Sequence, residues 1–252
     1  MILLLDIGNT HTHLGLANRK RILRTREVPT ADVRSGGLTA VLRSWLKGFA
    51  MEGACLCSVV PKATGSARRA VYSVIGILPE ILGPDRLPGI EVRYPQPRTI
   101  GPDRLANAVA ARHHFGTPVV VVDFGTAVTF DVVDGSSHYV GGIIAPGLAM
   151  MTDYLHERTA LLPKVRIREP RRVIGRNTRE AMLSGAVLGY RGMIRELVVA
   201  LRREVGVPGL PVVATGGYAE LVSRPLLEIS AIRPHLTLEG LRLTWEFRQG
   251  QG

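Results

Sequence analysis

The sequence predicts an α/β fold made of two duplicated lobes with a cleft between them. An apolar segment ending in Asp-x-Gly, followed by a second apolar segment, opens each half of the chain. Residues 3–8 align with residues 120–125 at an offset of 117 (123 minus 6), which also pairs Thr12 with Thr129. Strand and helix periodicities alternate within each half. We therefore assign residues 1–116 to the first lobe and 117–252 to the second.

The first half contains apolar runs and helical stripes in alternation. The predicted strands are residues 1–5, 13–17, 22–28 and 54–60, and the predicted helices are residues 38–49 and 66–78. A further helix starts at Gly101-Pro102-Asp103 and ends at His113-His114, before Gly116. This half is thus expected to build one sheet covered by helices.

The second half repeats the opening of the first. The predicted strands are residues 119–122, 128–133, 139–144 and 211–214, and the predicted helices are residues 177–203 and 238–247. The last strand runs into Thr215-Gly216-Gly217, where small residues would let a ribose or a planar base approach the backbone.

Composition excludes several classes of protein. With 252 residues, of which 46% are hydrophobic, the chain can bury a large core. The apolar segment 1–5 is too short for a signal peptide or a membrane span, so we expect a cytoplasmic protein without a membrane partner. The charge of +11, with 28 Arg and 4 Lys, is dispersed in short clusters and aromatic residues are only 5%. This favours a solvated basic surface over specific nucleic-acid binding.

The two cysteines lie two residues apart in a predicted strand. Cys55 and Cys57 therefore share one face, and buried thiols are the expected state. A pair of cysteines without further ligands in sequence does not make a structural zinc site.

The segment Asp6-Ile7-Gly8-Asn9-Thr10 puts a carboxylate at a strand end beside a turn that can present N–H groups to an anion. Such a turn suits a triphosphate with hydrated Mg²⁺, with the hydroxyls of Thr10 and Thr12 as further donors. An ordinary hairpin turn with a capping aspartate is the alternative. A second such turn at Asp123 favours the nucleotide interpretation, because two facing carboxylates would repel without cations between them. Neither a P-loop nor a dinucleotide-binding glycine motif occurs.

Asp103 falls in the first turn of its predicted helix, where the helix dipole favours the ionised carboxylate. It could accept a proton from a substrate hydroxyl, its neighbour Arg104 could bind a substrate carboxylate, and Asn107 shares its helix face. The alternative is an acid that merely stabilises the helix start.

Taken together, these segments resemble the type III pantothenate kinases, a family of the acetate and sugar kinase, Hsp70 and actin superfamily. Each segment is weakly specific, but their order is highly specific and spans nearly the whole chain. The resemblance is carried by DIGNTHTH at 6–13, Tyr94 with Pro97, GPDRLANAVAARH at 101–113, DFGTAVTFD at 123–131, GGIIAPGL at 141–148, GRNTREAMLSGAVLGY at 175–190, ATGGYA at 214–219 and LTLEGL at 236–241.

The resemblance implies two actin-like (ribonuclease H-like) lobes with a nucleotide cleft. It implies ATP-dependent phosphorylation of pantothenate to 4'-phosphopantothenate, the first step of coenzyme A biosynthesis. The implied cofactors are Mg²⁺ and a monovalent cation, K⁺ or NH₄⁺, and the implied assembly is a homodimer.

The resemblance also implies a role for each matching residue. Asp103 is the expected general base, and Asp123 the expected monovalent-cation ligand. Asp6 is expected to hold Mg²⁺ through water, and Thr178 to reach the substrate from the partner subunit of the dimer. The expected ATP contacts are Asp6, Ile7, Gly8, Asn9, Thr10, His11, Thr12, His13 and Thr126, and the expected pantothenate contacts are Tyr94, Gly101, Pro102, Asp103, Arg104 and Thr178.

Two positions depart from the family pattern. Pro102 replaces another small residue, and Val128 stands where threonine is common in the second turn, which removes a hydroxyl. Two other functions stay open at this point: a kinase or phosphatase of the same fold acting on another small substrate, and a DNA-associated regulatory accessory factor.

Overall fold

The chain divides into two compact units, seen in a computed structural model that describes residues 1–250. The first unit comprises residues 1–114, 137–140 and 235–250, and the second comprises residues 115–136 and 141–234. The strands are β1 Ile2–Ile7, β2 His11–Ala17, β3 Ile22–Pro29, β4 Gly53–Ser58, β5 Glu80–Ile81, β6 Glu91–Val92, β7 Val119–Phe124, β8 Ala127–Val133, β9 His138–Pro146, β10 Val212–Thr215 and β11 Ala231–Ile232. The helices are α1 Thr30–Ser35, α2 Leu38–Trp45, α3 Pro61–Ile75, α4 Pro102–Phe115, α5 Leu148–Arg158, α6 Thr178–Val205, α7 Ala219–Ser223 and α8 Leu236–Gln249, with a short 3₁₀ turn at Pro97–Thr99.

The two sheets share one topology. The first has the strand order β3-β2-β1-β4-β5, and the second has the order β11-β10-β7-β8-β9-β6. They match around β1 and β7, since β1 pairs antiparallel with β2 and parallel with β4, and β7 pairs antiparallel with β8 and parallel with β10. The second sheet has β6 as an additional strand, paired with β9. The predicted α/β class and its duplication are therefore confirmed.

The hairpins show that the predicted repeat alignment is wrong beyond the first turn. Ile7 pairs with Thr12 in the first hairpin, whereas Phe124 pairs with Val128 in the second. The second turn is thus one residue shorter, so Thr12 corresponds to Val128 and not to Thr129. Burial agrees, since Thr12 and Val128 are both fully buried. A single offset between the two halves cannot describe this difference, because a change in turn length shifts the pairing of every residue after the turn.

Each face of the first sheet is covered by helices. Leu5, Leu14 and Leu56 pack against the buried faces of α1, α2 and α3. On the other face, α8 packs so closely that a Cβ at Gly53 would overlap the Trp245 indole, and one at Gly15 would lie 3.2 Å from Leu238. The C-terminal helix therefore completes the core of the first unit.

The core of the second unit lies between its sheet and α5, α6 and α7. Phe124, Val128 and Phe130 project from β7 and β8 into it, and Tyr190 and Ile194 of α6 pack against them. Val128 is part of this core, which explains an apolar residue at this position.

Candidate active site

The first hairpin turn is held in place by a threonine that follows β3. Within the turn, Gly8 N–H donates to His11 O at 3.0 Å. Thr30 Oγ1 donates to Gly8 O at 2.7 Å and lies 3.0 Å from Thr12 Oγ1. Thr12 is fully buried, so its hydroxyl supports the turn from within. The side chains of the turn that reach the surface are those of Asn9, Thr10 and His11.

Polar groups form a row across four strands at the end of β1. Asp6 pairs with His13 on one side and with Cys57 on the other, and His13 pairs in turn with Glu27. Directly paired residues point to the same face of a sheet. The row therefore brings Asp6, His13, Glu27 and Cys57 together on the face opposite the helices α1–α3.

Two histidines of β2 contact one carboxylate. His11 Nε2 and His13 Nδ1 lie 3.6 and 3.5 Å from the two carboxylate oxygens of Glu27. Partial burial of its ring lowers the pKa of His13. This lowering is larger than the rise in pKa that the negative charge of Glu27 causes, and the charges of His11 and His235 lower the pKa further. His13 is therefore neutral at pH 7.

The Cys57 thiol contacts the predicted site acid Asp6. It donates to Asp6 Oδ1 at 3.3 Å. Burial first, and the negative charges of Asp6 and Asp103 second, raise the thiol pKa well above its usual value. Cys57 is therefore a neutral hydrogen-bond donor to Asp6. The prediction that both cysteines are buried and free is confirmed.

Asp103 is held at the start of α4 by the main chain. Its Oδ1 accepts from Arg104 N–H at 2.9 Å, and it lies so close to Gly101 that a Cβ there would overlap it. Burial raises the pKa of Asp103, against the lowering effects of that N–H and of the Arg104 charge. Desolvation thus outweighs the helix-start effect expected from sequence, and a raised pKa suits a carboxylate that accepts a proton.

Helix α8 fixes the position of α4 through small and polar residues. Thr237 Oγ1 donates to Asn107 Oδ1 at 2.8 Å, and both side chains are buried. Gly240 packs on the backbone of Ala106 with no space for a Cβ. The LTLEGL segment therefore anchors the helix that carries Asp103.

The predicted pantothenate residues of the first unit lie around the β6–β9 pair. Val92 pairs with Tyr139, Arg93 N–H donates to Tyr139 O at 3.0 Å, and Tyr94 follows with 38% of its side chain exposed. Cζ of Arg104 lies 6.0 Å from the ring centroid of Tyr139. Gly101, Pro102 and Arg104 are all partly exposed at the start of α4.

In the second unit, Asp123 is the penultimate residue of β7, as Asp6 is of β1. It pairs with Thr129 on one side and Thr215 on the other. Gly216, at φ +92°, passes so close that a Cβ would lie 2.5 Å from Asp123 Oδ1. Glycine at 216 is therefore required by backbone conformation and packing, whereas Gly217 has open space around it.

The other predicted residues of the second unit lie in the turn after β7 and at the start of α6. Thr126 is exposed in the turn after Asp123, and its carbonyl accepts from Gly147 N–H at 3.1 Å, directly before α5. Thr178 is the exposed first residue of α6. Asn177 caps that helix by accepting from Glu180 N–H at 3.0 Å, while Glu180 accepts from Arg176 N–H.

The sequence motifs did not identify several residues that support these sites. Thr30 and Tyr139 lie far in sequence from the motifs they contact, and no local pattern links them. Cys57 was placed only as a buried thiol, although its position at the end of an apolar strand could have suggested a neighbour of Asp6. Within residues 1–250, no group of three or more His, Cys, Asp or Glu side chains could hold a metal ion.

Over the same described residues, none of the helices combines the length and the apolar character needed to cross a membrane.

Comparison with solved structures agrees with the fold. A Baf family protein from Campylobacter jejuni, described as a transcriptional activator, matches with a TM-score of 0.62 at 18% identity, over 98% of this chain and 99% of that chain. The polyphosphate/ATP-glucomannokinase from Arthrobacter sp. strain KM matches with a TM-score of 0.50 at 13% identity, over 99% and 98% of the two chains. At such identities the likeness concerns the fold alone, which agrees with the actin-like fold expected from the sequence.

Comparison of sequences identifies the family. The profile of type III pantothenate kinases matches residues 2–200. The type III pantothenate kinase of Akkermansia muciniphila is 46% identical over 242 residues, 96% of each chain. That of Methylacidiphilum infernorum is 44% identical over 246 residues, 97% of this chain and 88% of the relative. The chain therefore belongs to the type III pantothenate kinase family.

Proposed function

We propose that this protein transfers the γ-phosphoryl group of ATP to pantothenate, giving 4'-phosphopantothenate for coenzyme A biosynthesis, with Asp103 as the general base. Membership of the family supports the reaction. The observation that carries the assignment of the base is the position of Asp103, which is desolvated at the start of α4 and held there by Arg104 N–H.

In this mechanism Asp103 accepts the proton of the pantothenate hydroxyl. The hydroxyl oxygen forms its bond to the γ-phosphorus while the bond from that phosphorus to the β–γ bridging oxygen breaks. Phosphoryl transfer depends on positioning and charge stabilisation, so the carboxylate mainly has to be fixed and accessible to the hydroxyl. Gly101 and Arg104 N–H hold it in that way.

The turn of residues 6–13 is the proposed ATP phosphate loop. Asn9, Thr10, His11 and His13 present the exposed groups, and Thr12 with Ile7 supports the loop from the buried side. A single carboxylate with phosphate oxygens and water is a usual environment of Mg²⁺, and Asp6 fits that role. Bound there, Mg²⁺ would neutralise charge on the phosphates. Thr126 is the proposed further ATP contact.

Asp123 is the proposed ligand of a monovalent cation, K⁺ or NH₄⁺. The groups around it are oxygens, since the Thr129 and Thr215 side chains flank it in register. We also keep the boundary at 116/117 as the proposed junction of the two duplicated lobes.

Pantothenate is proposed to bind at Tyr94 and residues 101–104, with the Arg104 guanidinium on its carboxylate. In our proposal Thr178 completes the site from the partner subunit of a homodimer. An exposed apolar surface of α5 and the segment before α6 supports association, with Tyr154 61%, Leu161 90% and Ile174 81% exposed. The cytoplasm is the proposed location.

The decisive experiment measures ADP release from purified protein with ATP and Mg²⁺. We expect turnover only when pantothenate is present, and stimulation by K⁺ or NH₄⁺ over Na⁺ that is lost in Asp123→Asn. Turnover with a sugar or acetate but not with pantothenate would contradict the proposed substrate. Equal turnover in Na⁺ and K⁺ would contradict only the cation role of Asp123.

The dimer needs a separate measurement. Light scattering after gel filtration should give twice the chain mass for the wild type and a single chain for Ile174→Glu. A wild-type monomer at micromolar concentration would contradict the proposed assembly.

A further inference from the structure

Tyr139 occupies an unusual position for a fully buried aromatic residue. It lies in β9, the strand whose first residues group with the first unit while the rest belong to the second. Its main chain pairs with β6, where its carbonyl accepts from Arg93 N–H at 3.0 Å. Tyr94, the next residue, is in the proposed pantothenate site.

The ring of Tyr139 reaches a second part of the same site. Cζ of Arg104 lies 6.0 Å from its centroid, which is at the limit of a cation–π contact. Arg104 N–H is at the same time bonded to Asp103 Oδ1, so the backbone at residue 104 is fixed. The face of the ring then restricts where the guanidinium can lie.

The segment that carries Tyr139 is itself held on both sides. His138 Nε2 lies 3.5 Å from Glu91 Oε2, and Arg112 Nε donates to Ser137 Oγ at 3.5 Å. Arg112 also packs on Gly89, where a Cβ would overlap its guanidinium. Helix α4 and β6 therefore clamp residues 137–139, so that the ring is a rigid support.

We infer that Tyr139 is a specificity-determining positioning residue, which orients the Arg104 guanidinium toward the carboxylate of the substrate and so selects the acid over neutral analogues. This inference rests on the proposed function. A guanidinium recognises a carboxylate through paired hydrogen bonds of fixed direction, so its orientation decides how much affinity the charge contributes.

The test compares the binding of pantothenate with that of its neutral primary amide, measured by calorimetry without ATP. We expect wild type to prefer the acid by about 10- to 100-fold, as a charged hydrogen-bonded pair would give. Arg104→Gln should reduce that preference to within about 3-fold, because the charge that reads the carboxylate is gone. Tyr139→Leu should lower it by about 3- to 10-fold, while Tyr139→Phe, which keeps the ring, should retain it.

A double-mutant cycle separates orientation from simple damage. In the Arg104→Gln background, Tyr139→Leu should cause no further loss of preference if Tyr139 acts through Arg104. Val71→Ala, a core truncation in α3, should lower the melting temperature yet leave the preference unchanged. If Tyr139→Leu does not fold, Tyr139→Met, which fills more of the volume without a π face, takes its place.

The outcomes distinguish the inference from the function beneath it. The role of Tyr139 is overturned if Tyr139→Leu or Tyr139→Met keeps the wild-type preference for the acid over the amide. It is also overturned if the effects of the Tyr139 and Arg104 substitutions on that preference simply add. Neither result would contradict the kinase activity. Wild-type protein that neither binds nor phosphorylates pantothenate overturns the proposed function and this inference together.

Discussion

Asp103 combines burial with charge, and this combination should make it essential for turnover. We expect Asp103→Asn to lower kcat by about 10²- to 10⁴-fold, the usual contribution of a general base, with little change in ATP affinity. Because burial raises the pKa of Asp103, wild-type kcat/KM should also fall as the pH is lowered through that raised pKa. Steady-state kinetics across pH checks both; a variant within a factor of about three of wild type contradicts the role of base.

The buried charge of Asp103 should lower the stability of the folded protein at pH 7. A carboxyl whose folded pKa is raised above the ordinary 3.8 favours folding only while protonated, and that contribution is lost as the pH rises through the folded value. Asp103→Asn should therefore melt at a higher temperature than wild type at pH 7. The difference should shrink as the pH falls toward 4. A lower melting temperature of the variant at pH 7 would show that Asp103 stabilises the fold.

Gly101 tests the position of that carboxylate without removing it. Gly101 does not adopt a positive φ, so alanine suits the backbone, but its Cβ would overlap Asp103 Oδ1. We expect Gly101→Ala to reduce kcat by about 10- to 100-fold, because a small displacement of a reacting group is costly. The control is Gly65→Ala in α3, where the nearest atom is 3.6 Å away, and it should leave kcat unchanged. Equal activity of both variants would contradict the geometry.

Among the elements, α8 should determine how well α4 presents Asp103. Thr237→Val removes the donor to Asn107 and should destabilise the protein by about 1–3 kcal/mol, with a fall in kcat of about 3- to 10-fold. Thr244→Val is the matched control, because that hydroxyl donates to Gly240 O within its own helix. Thermal unfolding and kinetics should separate the two; equal kinetic effects would contradict the link to α4.

The elements also show what the sequence could predict. Strands such as β1 and β7 are continuous apolar runs, and α4 and α6 show helical stripes and helix-start signals, so their predicted bounds are close to the observed ones. Helix α5 was not predicted, because large apolar residues such as Met150 and Tyr154 lie on its exposed side, so the sequence shows no distinct apolar stripe. The two-residue strands β5, β6 and β11 are too short for any periodicity, and only long-range pairing defines them.

At the scale of the site, the sequence identified residues but not their supports. Asp6 and Asp103 follow from motif and helix position, whereas the contact of Cys57 with Asp6 depends on the parallel pairing of β1 with β4. Thr237 is 130 residues from Asn107, a distance that no local rule covers. Pairing and packing between distant segments are set by the whole fold.

Across the molecule, part of the high arginine content has a structural explanation. Several arginines tie segments together by donating to backbone carbonyls, as Arg191 does to Leu221 O at 2.6 Å. The same is true of Arg179, Arg202, Arg242 and Arg248. Arg191 also forms a bidentate pair with Glu169, a geometry that lysine cannot reproduce.

Arg191→Lys should therefore destabilise the protein by about 1–3 kcal/mol, because the buried guanidinium loses its forked contact with the exposed Glu169 carboxylate and its bond to Leu221 O. Arg24→Lys on exposed β3 conserves charge in the same way and should change stability by less than about 0.5 kcal/mol. Urea unfolding measures the stability of both variants. Similar unfolding midpoints would show that Arg191 contributes to stability only through its positive charge, which lysine also carries.

The placement of α8 in the first unit has a consequence for biosynthesis. Trp245 and Leu238 cover one face of β1, β2 and β4, strands that leave the ribosome before the second unit does. Residues 115–136 and 141–234 supply the second unit before α8 has been made. The unit begun first is thus finished last, and until then its sheet keeps an uncovered apolar face. A nascent chain arrested before residue 236 would offer that face to chaperones and proteases, although it already carries Asp6, Asp103 and Asp123.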